Sequence, residues 1–180
     1  TYLGYYAGAL LGHADADNNV FVGATAGASG DYTAANNTSN NNVGIGKSAM
    51  GGGTADTVFE ADNNVAIGYE SLKSILSGNN NVAMGYQAGY DITTGDSNVL
   101  LGYQAGDNAS TLGSSIGIGY QALGGANATL LTGNNHSVAI GTQAAGNASG
   151  NWGNGVYIGY LTGNHDTGGG NVAVGYRAME

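Results

Sequence analysis

The chain has 180 residues, 35 of them glycine, with no proline and no cysteine, and only 8% are charged, against roughly 25% in an ordinary globular domain. Twelve acids against Lys47, Lys73 and Arg177 leave a formal charge of -9, which denies the chain the basic footprint that nucleic acid or an anionic membrane surface requires. Disulfides and thiolate metal sites are excluded by composition, and no run of 18 apolar residues exists to span a bilayer as a helix.

Read in chain order, one short motif keeps returning. A truncated copy, Tyr2-Leu3-Gly4-Tyr5, is followed by divergent copies anchored on Gly23 and Gly46. Asn64-Val65-Ala66-Ile67-Gly68-Tyr69-Glu70-Ser71 then recurs as Asn81-Val82-Ala83-Met84-Gly85-Tyr86-Gln87-Ala88 and as Asn98-Val99-Leu100-Leu101-Gly102-Tyr103-Gln104-Ala105. Ser115-Ile116-Gly117-Ile118-Gly119-Tyr120-Gln121-Ala122 follows, and Gly141, Gly159 and Gly175 anchor the last three copies. Between Gly68 and Gly119 the anchors fall 17 residues apart.

The columns of this alignment predict strands. The first holds Val20, Val43, Val65, Val82, Val99, Ile116, Val138, Val156 and Val172, all β-branched. Two residues later stand Val22, Ile45, Ile67, Met84, Leu101, Ile118, Ile140, Ile158 and Val174, which therefore share a strand face with the first. The residue between is usually small, with Phe21, Leu100 and Tyr157 the exceptions. One three-residue strand per copy is too little for a free sheet, but copies stacked as coils of a parallel β-solenoid bury a continuous core. The Val and Ile columns are read as that core. The Gly44/Ala66/Ala83/Gly117/Ala139/Ala173 column is read as the face lying against a neighbouring chain. The alternative is a thin roll whose interior takes the small residues while Val and Ile face the partner.

A weaker signal ends at Gly78, Gly95, Gly113 and Gly133 and is read as a second short strand and turn per coil. Segments 27–41, 50–62 and 124–136 are the longest loops, and Asn-rich corners such as Asn79-Asn80-Asn81 suit turns because asparagine tolerates left-handed backbone.

Val-Ala-Ile-Gly repeats preceded by Asn or Ser, with a second glycine further round, resemble the head repeats of trimeric autotransporter adhesins. The fuller Asn-x-Ala-Ile-Gly-Tyr-Gln-Ala pattern also resembles repeats of phage tail fibres. The resemblance implies a left-handed parallel β-roll, three chains packed about one axis, and a rod-like role; the coils here are longer than those of adhesin heads and carry loops. The expectation is thus an all-β roll of about ten short coils, a single repetitive unit over residues 1–180. That unit would be a homotrimeric segment of a longer fibre, joined to other fibre or tail proteins at both ends. Its place would be the shaft of a virion tail fibre, a stiff spacer for host attachment. A bacterial surface adhesin or secreted filament, touching glycans or host surfaces through its loops, is the alternative.

Single residues add little chemistry. Tyr69, Tyr86, Tyr103 and Tyr120, with Tyr5, Tyr160 and Tyr176, form a column read as a packing ladder, or alternatively as a glycan-contact stripe; Ala24, Lys47 and Thr142 interrupt it. The acids at Asp15, Asp17 and Asp91 to Asp96 are read as solvated turns, since no calcium loop motif surrounds them. His13, His136 and His165 stand far apart, and the Asn-x-Ser/Thr sites at Asn36, Asn37, Asn108, Asn127, Asn135 and Asn147 are chance products of so Asn-rich a chain. No paired-carboxylate motif is present, and no enzyme activity, cofactor or metal is expected.

Overall fold

The computed structural model describes residues 1–9, 17–28, 38–52, 59–124, 136–147, 153–164, 166, 168 and 170–179. These form a parallel β-solenoid without a helix. The strands are β1 (Tyr2–Leu3), β2 (Val20–Val22), β3 (Val43–Ile45), β4 (Val65–Ile67), β5 (Val82–Met84), β6 (Val99–Leu101), β7 (Ile116–Ile118), β8 (Val138–Ile140), β9 (Val156–Ile158) and β10 (Val172–Val174). They pair in chain order in one ten-stranded sheet, every pair parallel.

Register follows the columns of the repeat without a slip. Val65 lies beside Val82, Ala66 beside Ala83 and Ile67 beside Met84, and the same pairing runs from Val20↔Val43 to Val172↔Val156. The anchor glycine N–H donates back to the previous coil, as Gly85 does to the Ile67 carbonyl at 2.8 Å. The N–H of the first strand residue donates forward, as Val82 does to the Asn98 carbonyl at 2.8 Å. A strand of three residues is stable only because neighbours on both sides complete these bonds.

The anchor glycines Gly23, Gly46, Gly68, Gly85, Gly102, Gly119, Gly141, Gly159 and Gly175 all sit at φ between 129° and 141°, where L side chains are strained. Close approach adds a second reason. A Cβ on Gly23 would lie 2.5 Å from the carbonyl oxygen of Gly46, and the later anchors up to Gly159 meet the next anchor's carbonyl in the same way.

Two readings of the sequence need correcting. The Val and Ile columns do not form the core. Val65, Ile67, Val82, Val99, Leu101, Ile118 and Val138 are partly exposed, and Met84, Ile116, Ile140, Val172 and Val174 are exposed. The middle column is the buried one: Phe21, Ala66, Ala83, Leu100, Ala139, Tyr157 and Ala173 point inward, so the small-residue column lines the interior of the chain's own coils. The physical cause is the narrow lumen. Residues from the returning half of each coil, among them Met50, Leu72, Ile75, Ile92, Leu112 and Leu123, are fully buried opposite the sheet and leave room for little more than a methyl group. Where the middle column is large, glycines make the space. A Cβ on Gly27 or Gly44 would run into the Phe21 ring, one on Gly89 or Gly106 into Leu100, and one on Gly155 or Gly163 into Tyr157. Interior volume is thus conserved coil by coil.

The second short strand per coil is also absent among the described residues. Ile75, Ile92 and Leu112, just ahead of Gly78, Gly95 and Gly113, are instead buried core residues in irregular backbone. Leu130 to Gly133 lies outside the described residues.

Candidate functional site: three polar and aromatic ladders

Stacking turns each recurring residue into a continuous line along the solenoid. Three such lines carry the polar and aromatic chemistry of the molecule.

The first line is buried. Asn19, Asn42, Asn64, Asn81 and Asn98 each precede a strand and lie almost wholly out of solvent. Asn64 Oδ1 accepts the backbone N–H of Asn81 at 2.9 Å and its side-chain N–H at 3.0 Å, while Asn81 Nδ2 also donates to the Gly95 carbonyl at 2.8 Å. The same trio recurs at Asn42, Asn64 and Asn98. Every carboxamide thereby ties sheet to returning segment and coil to coil, with its buried donors and acceptor satisfied. Ser115 and Ser137 continue the column with hydroxyls. Gly113-Ser114-Ser115-Ile116-Gly117 has the spacing of a hydrolase nucleophile elbow, yet Ser115 Oγ is spent on the Gly113 carbonyl and the Ser137 N–H, and a strand follows it instead of a helix.

The second line runs through Gln87, Gln104, Gln121 and Gln143, each two residues past an anchor glycine and held at φ between 51° and 53°. Nε2 of each donates to Oε1 of the one before, at 3.0 to 3.1 Å. Glu70 ends the row, accepting Gln87 Nε2 at 2.9 Å and Lys73 Nζ at 2.7 Å. Burial raises the Glu70 carboxyl, but the hydrogen bonds from Lys73 and Gln87 outweigh it and hold the group below the usual carboxylate range.

The third line is the tyrosine column. Tyr69, Tyr86, Tyr103 and Tyr120 stack with centroids 5.0 to 5.2 Å apart and planes within 9° of parallel, and Tyr160 stacks on Tyr176 at 5.3 Å. These rings are half-exposed, on the same outward side as the Val and Ile columns. A stacked ring has its faces covered by its neighbours, so the ladder shows solvent its edges and hydroxyls.

Tyr157, in the buried middle column, stands outside these three ladders. Its ring is fully buried and its hydroxyl donates to Asp166 Oδ2 at 2.6 Å. Burial first, then the Asp166 carboxylate, pushes the phenol well above its usual range.

The acids of the turns serve the backbone. Asp96 Oδ1 accepts the Asn79 N–H at 2.6 Å, Asn79 accepts from Asp62, and Asp62 accepts from Asn40, so carboxylates alternate with carboxamides along this edge. Among the described residues no three acids or histidines converge as a metal-binding group, and no helix is long and apolar enough to cross a membrane. His136 lines a shallow polar pocket of about 240 Å³ with Thr94, Asp96, Thr111 and Ser114. His13, His165, Asp15, Asn36, Asn37, Asn127 and Asn135 lie outside the described residues.

Sequence reasoning missed the Asn and Gln ladders as load paths, although the signal was there. An amide side chain in one column of a parallel stack is placed to bond its own kind. Comparison of the chain with protein-family models, with curated proteins and with solved structures finds no match.

Proposed function

We propose that this chain is a structural shaft, a stiff spacer in a phage tail fibre that carries a host-attachment tip, and that it self-associates as a homotrimer through its Val and Ile columns. The observation that carries the reading is the outward face of the sheet. Ten rungs of Val, Ile, Leu and Met, with the tyrosine ladder alongside, expose a continuous apolar band without a charge on any strand. Monomeric proteins rarely expose so long an apolar stripe.

A partner for this band must present apolar groups at the same coil spacing over the same length. A second copy of the chain does so by construction. At ~4.8 Å per rung and ~3.3 Å per residue, the ten rungs of the strand face cover about 500 Å² per chain, or about 1,000 Å² for a pair of chains, the size at which specific interfaces begin. Side-chain ladders and backbone ladders run along one axis, which favours resistance to bending and pulling over the mobility that chemistry needs. The tail-fibre assignment rests on the resemblance of the Asn-x-Ala-Ile-Gly-Tyr-Gln-Ala repeats.

Sedimentation equilibrium tests the assembly: a mass three times that of the chain is expected, and a monomer at micromolar concentration overturns it. Labelling of the intact source particle with an antibody to the chain, viewed by electron microscopy, tests the location. Label on tail fibres is expected, and label confined to a cell surface replaces the fibre with a surface adhesin or filament.

A further inference from the structure

The tyrosine ladder is broken at one point in a way that leaves two aromatic faces looking at each other. Two of its other ends are covered by cations. Lys47, which takes the tyrosine position one coil before Tyr69, lies 5.6 Å over the Tyr69 ring, and the Arg177 guanidinium lies 5.9 Å over that of Tyr176. Between Tyr120 and Tyr160 the column holds Thr142. Gln143 N–H donates to the Tyr120 carbonyl and Leu161 N–H to the Thr142 carbonyl, which fixes the three residues on successive rungs. Tyr120 is 47% exposed and Tyr160 44%. Two rungs at the strand spacing of ~4.8 Å separate their rings by about 10 Å, and the short, exposed Thr142 side chain lies between them.

We propose that this notch binds one neutral pyranose ring of a saccharide. A chair-form sugar with its hydroxyls equatorial, as in β-glucose, is apolar on both faces through its axial C–H groups and polar around its rim; an axial hydroxyl leaves one such face. Seated on the Thr142 rung, its centre falls about 5 Å from each tyrosine, the distance at which the ladder's own rings stack. The polar groups sit where the rim would be. The Thr142 hydroxyl makes no hydrogen bond with any described residue. Gln143 is the last carboxamide of its row, since Leu161 follows it in that column; its Nε2 donates to Gln121, and no described residue donates to its Oε1. No charged side chain belongs to this rung or to the rungs beside it in either column, which matches an uncharged ligand. The inference stands apart from the shaft reading, because a shaft can carry a lateral saccharide contact or none.

The test uses the full chain and methyl glycosides of glucose, galactose, mannose and N-acetylglucosamine as probes, read by saturation-transfer NMR and titration. At least one glycoside is expected to bind with millimolar affinity. Thr142→Tyr supplies the missing rung, so it is expected to weaken binding at least tenfold while leaving the melting temperature equal or higher. Lys47→Tyr, which alters the ladder away from the notch, is expected to leave binding unchanged. Tyr160→Leu removes one wall and reads the same loss should Thr142→Tyr fold poorly. No binding by any of the four probes, or undiminished binding in both Thr142→Tyr and Tyr160→Leu, overturns the proposal. Sedimentation of the same samples reports separately on the shaft assembly.

Discussion

Asn81 donates twice to one oxygen of Asn64, from its backbone and from its side chain, and both residues are fully buried. The pair is one step of a line from Asn19 to Asn98 in which each carboxamide supplies the donors and the acceptor that its neighbours need. Changing Asn81→Asp would set a carboxylate against the Asn64 and Gly95 oxygens that now accept its Nδ2 donors. A buried charge without a partner costs about 3–5 kcal/mol, so the Asn81→Asp chain is expected to lose that much stability in urea unfolding. Asn81→Ser is expected to cost about 1–2 kcal/mol, since Ser115 and Ser137 hold the same column with one hydroxyl each. Equal losses for the two variants would show that the ladder's donors do not matter.

Met84 and Leu100 stand on adjacent strands with opposite aspects. Leu100 is fully buried between Gly89, Gly106 and Gly117, whereas Met84 is 42% exposed on the outer face. Leu100→Ala is expected to destabilise the fold by about 2–5 kcal/mol, because the glycines that make room for it cannot close the cavity. Met84→Glu is expected to leave the β-sheet circular dichroism intact but, under the proposed assembly, to shift sedimentation from trimer to monomer. A trimer that tolerates glutamate at Met84 would place the interface elsewhere.

This pair also marks the limit of what the sequence reveals. Alternation states which residues share a face, and it correctly placed Val65 with Ile67 and Ala66 opposite. It does not state which face is inside. The usual reasoning sends Val and Ile inward, and here it fails because the lumen is already filled by Leu72, Ile75, Ile92 and Leu123 from the returning half of the coil. The exceptions in the middle column carried the missing information. Phe21, Leu100 and Tyr157 are each flanked by glycines along the chain or on the neighbouring coil, as an interior of fixed volume demands. The strand positions, the anchor glycines and the parallel stacking were legible because they repeat with the coil. The amide ladders were visible as columns but not as bonds, since their partners lie 14 to 23 residues away.

Glu70 gives the molecule an acid-sensitive point. Its folded carboxyl lies below the usual range through the hydrogen bonds from Lys73 and Gln87, although burial works against them. A group depressed on folding contributes stability that is complete above its unfolded value, about 4.3, and is lost as pH falls through the lower folded value. Stability is therefore expected to drop below pH 4 more steeply in the native chain than in Glu70→Gln. The variant keeps an acceptor for Gln87 and completes the row with a fourth matching carboxamide pair. Parallel pH profiles of melting temperature for the two chains would remove Glu70 from this role.

Gly102 and Gly175 share a backbone conformation, at φ 140° and 134°, but not a neighbourhood. A Cβ on Gly102 would collide with the carbonyl of Gly119, while one on Gly175 would meet nothing within 4 Å. Alanine at Gly175 therefore tests the conformational term by itself, of order 1–3 kcal/mol. Alanine at Gly102 adds a clash that can be relieved only by parting two coils, and with them the bonds that Gly119 N–H and Gln121 N–H donate to Leu101 and Tyr103. Gly102→Ala is expected to cost at least about twice as much as Gly175→Ala, since each lost coil-to-coil hydrogen bond adds about 1 kcal/mol. Equal melting temperatures for the two variants would mean that φ alone, and not the closeness of the coils, demands glycine in this column.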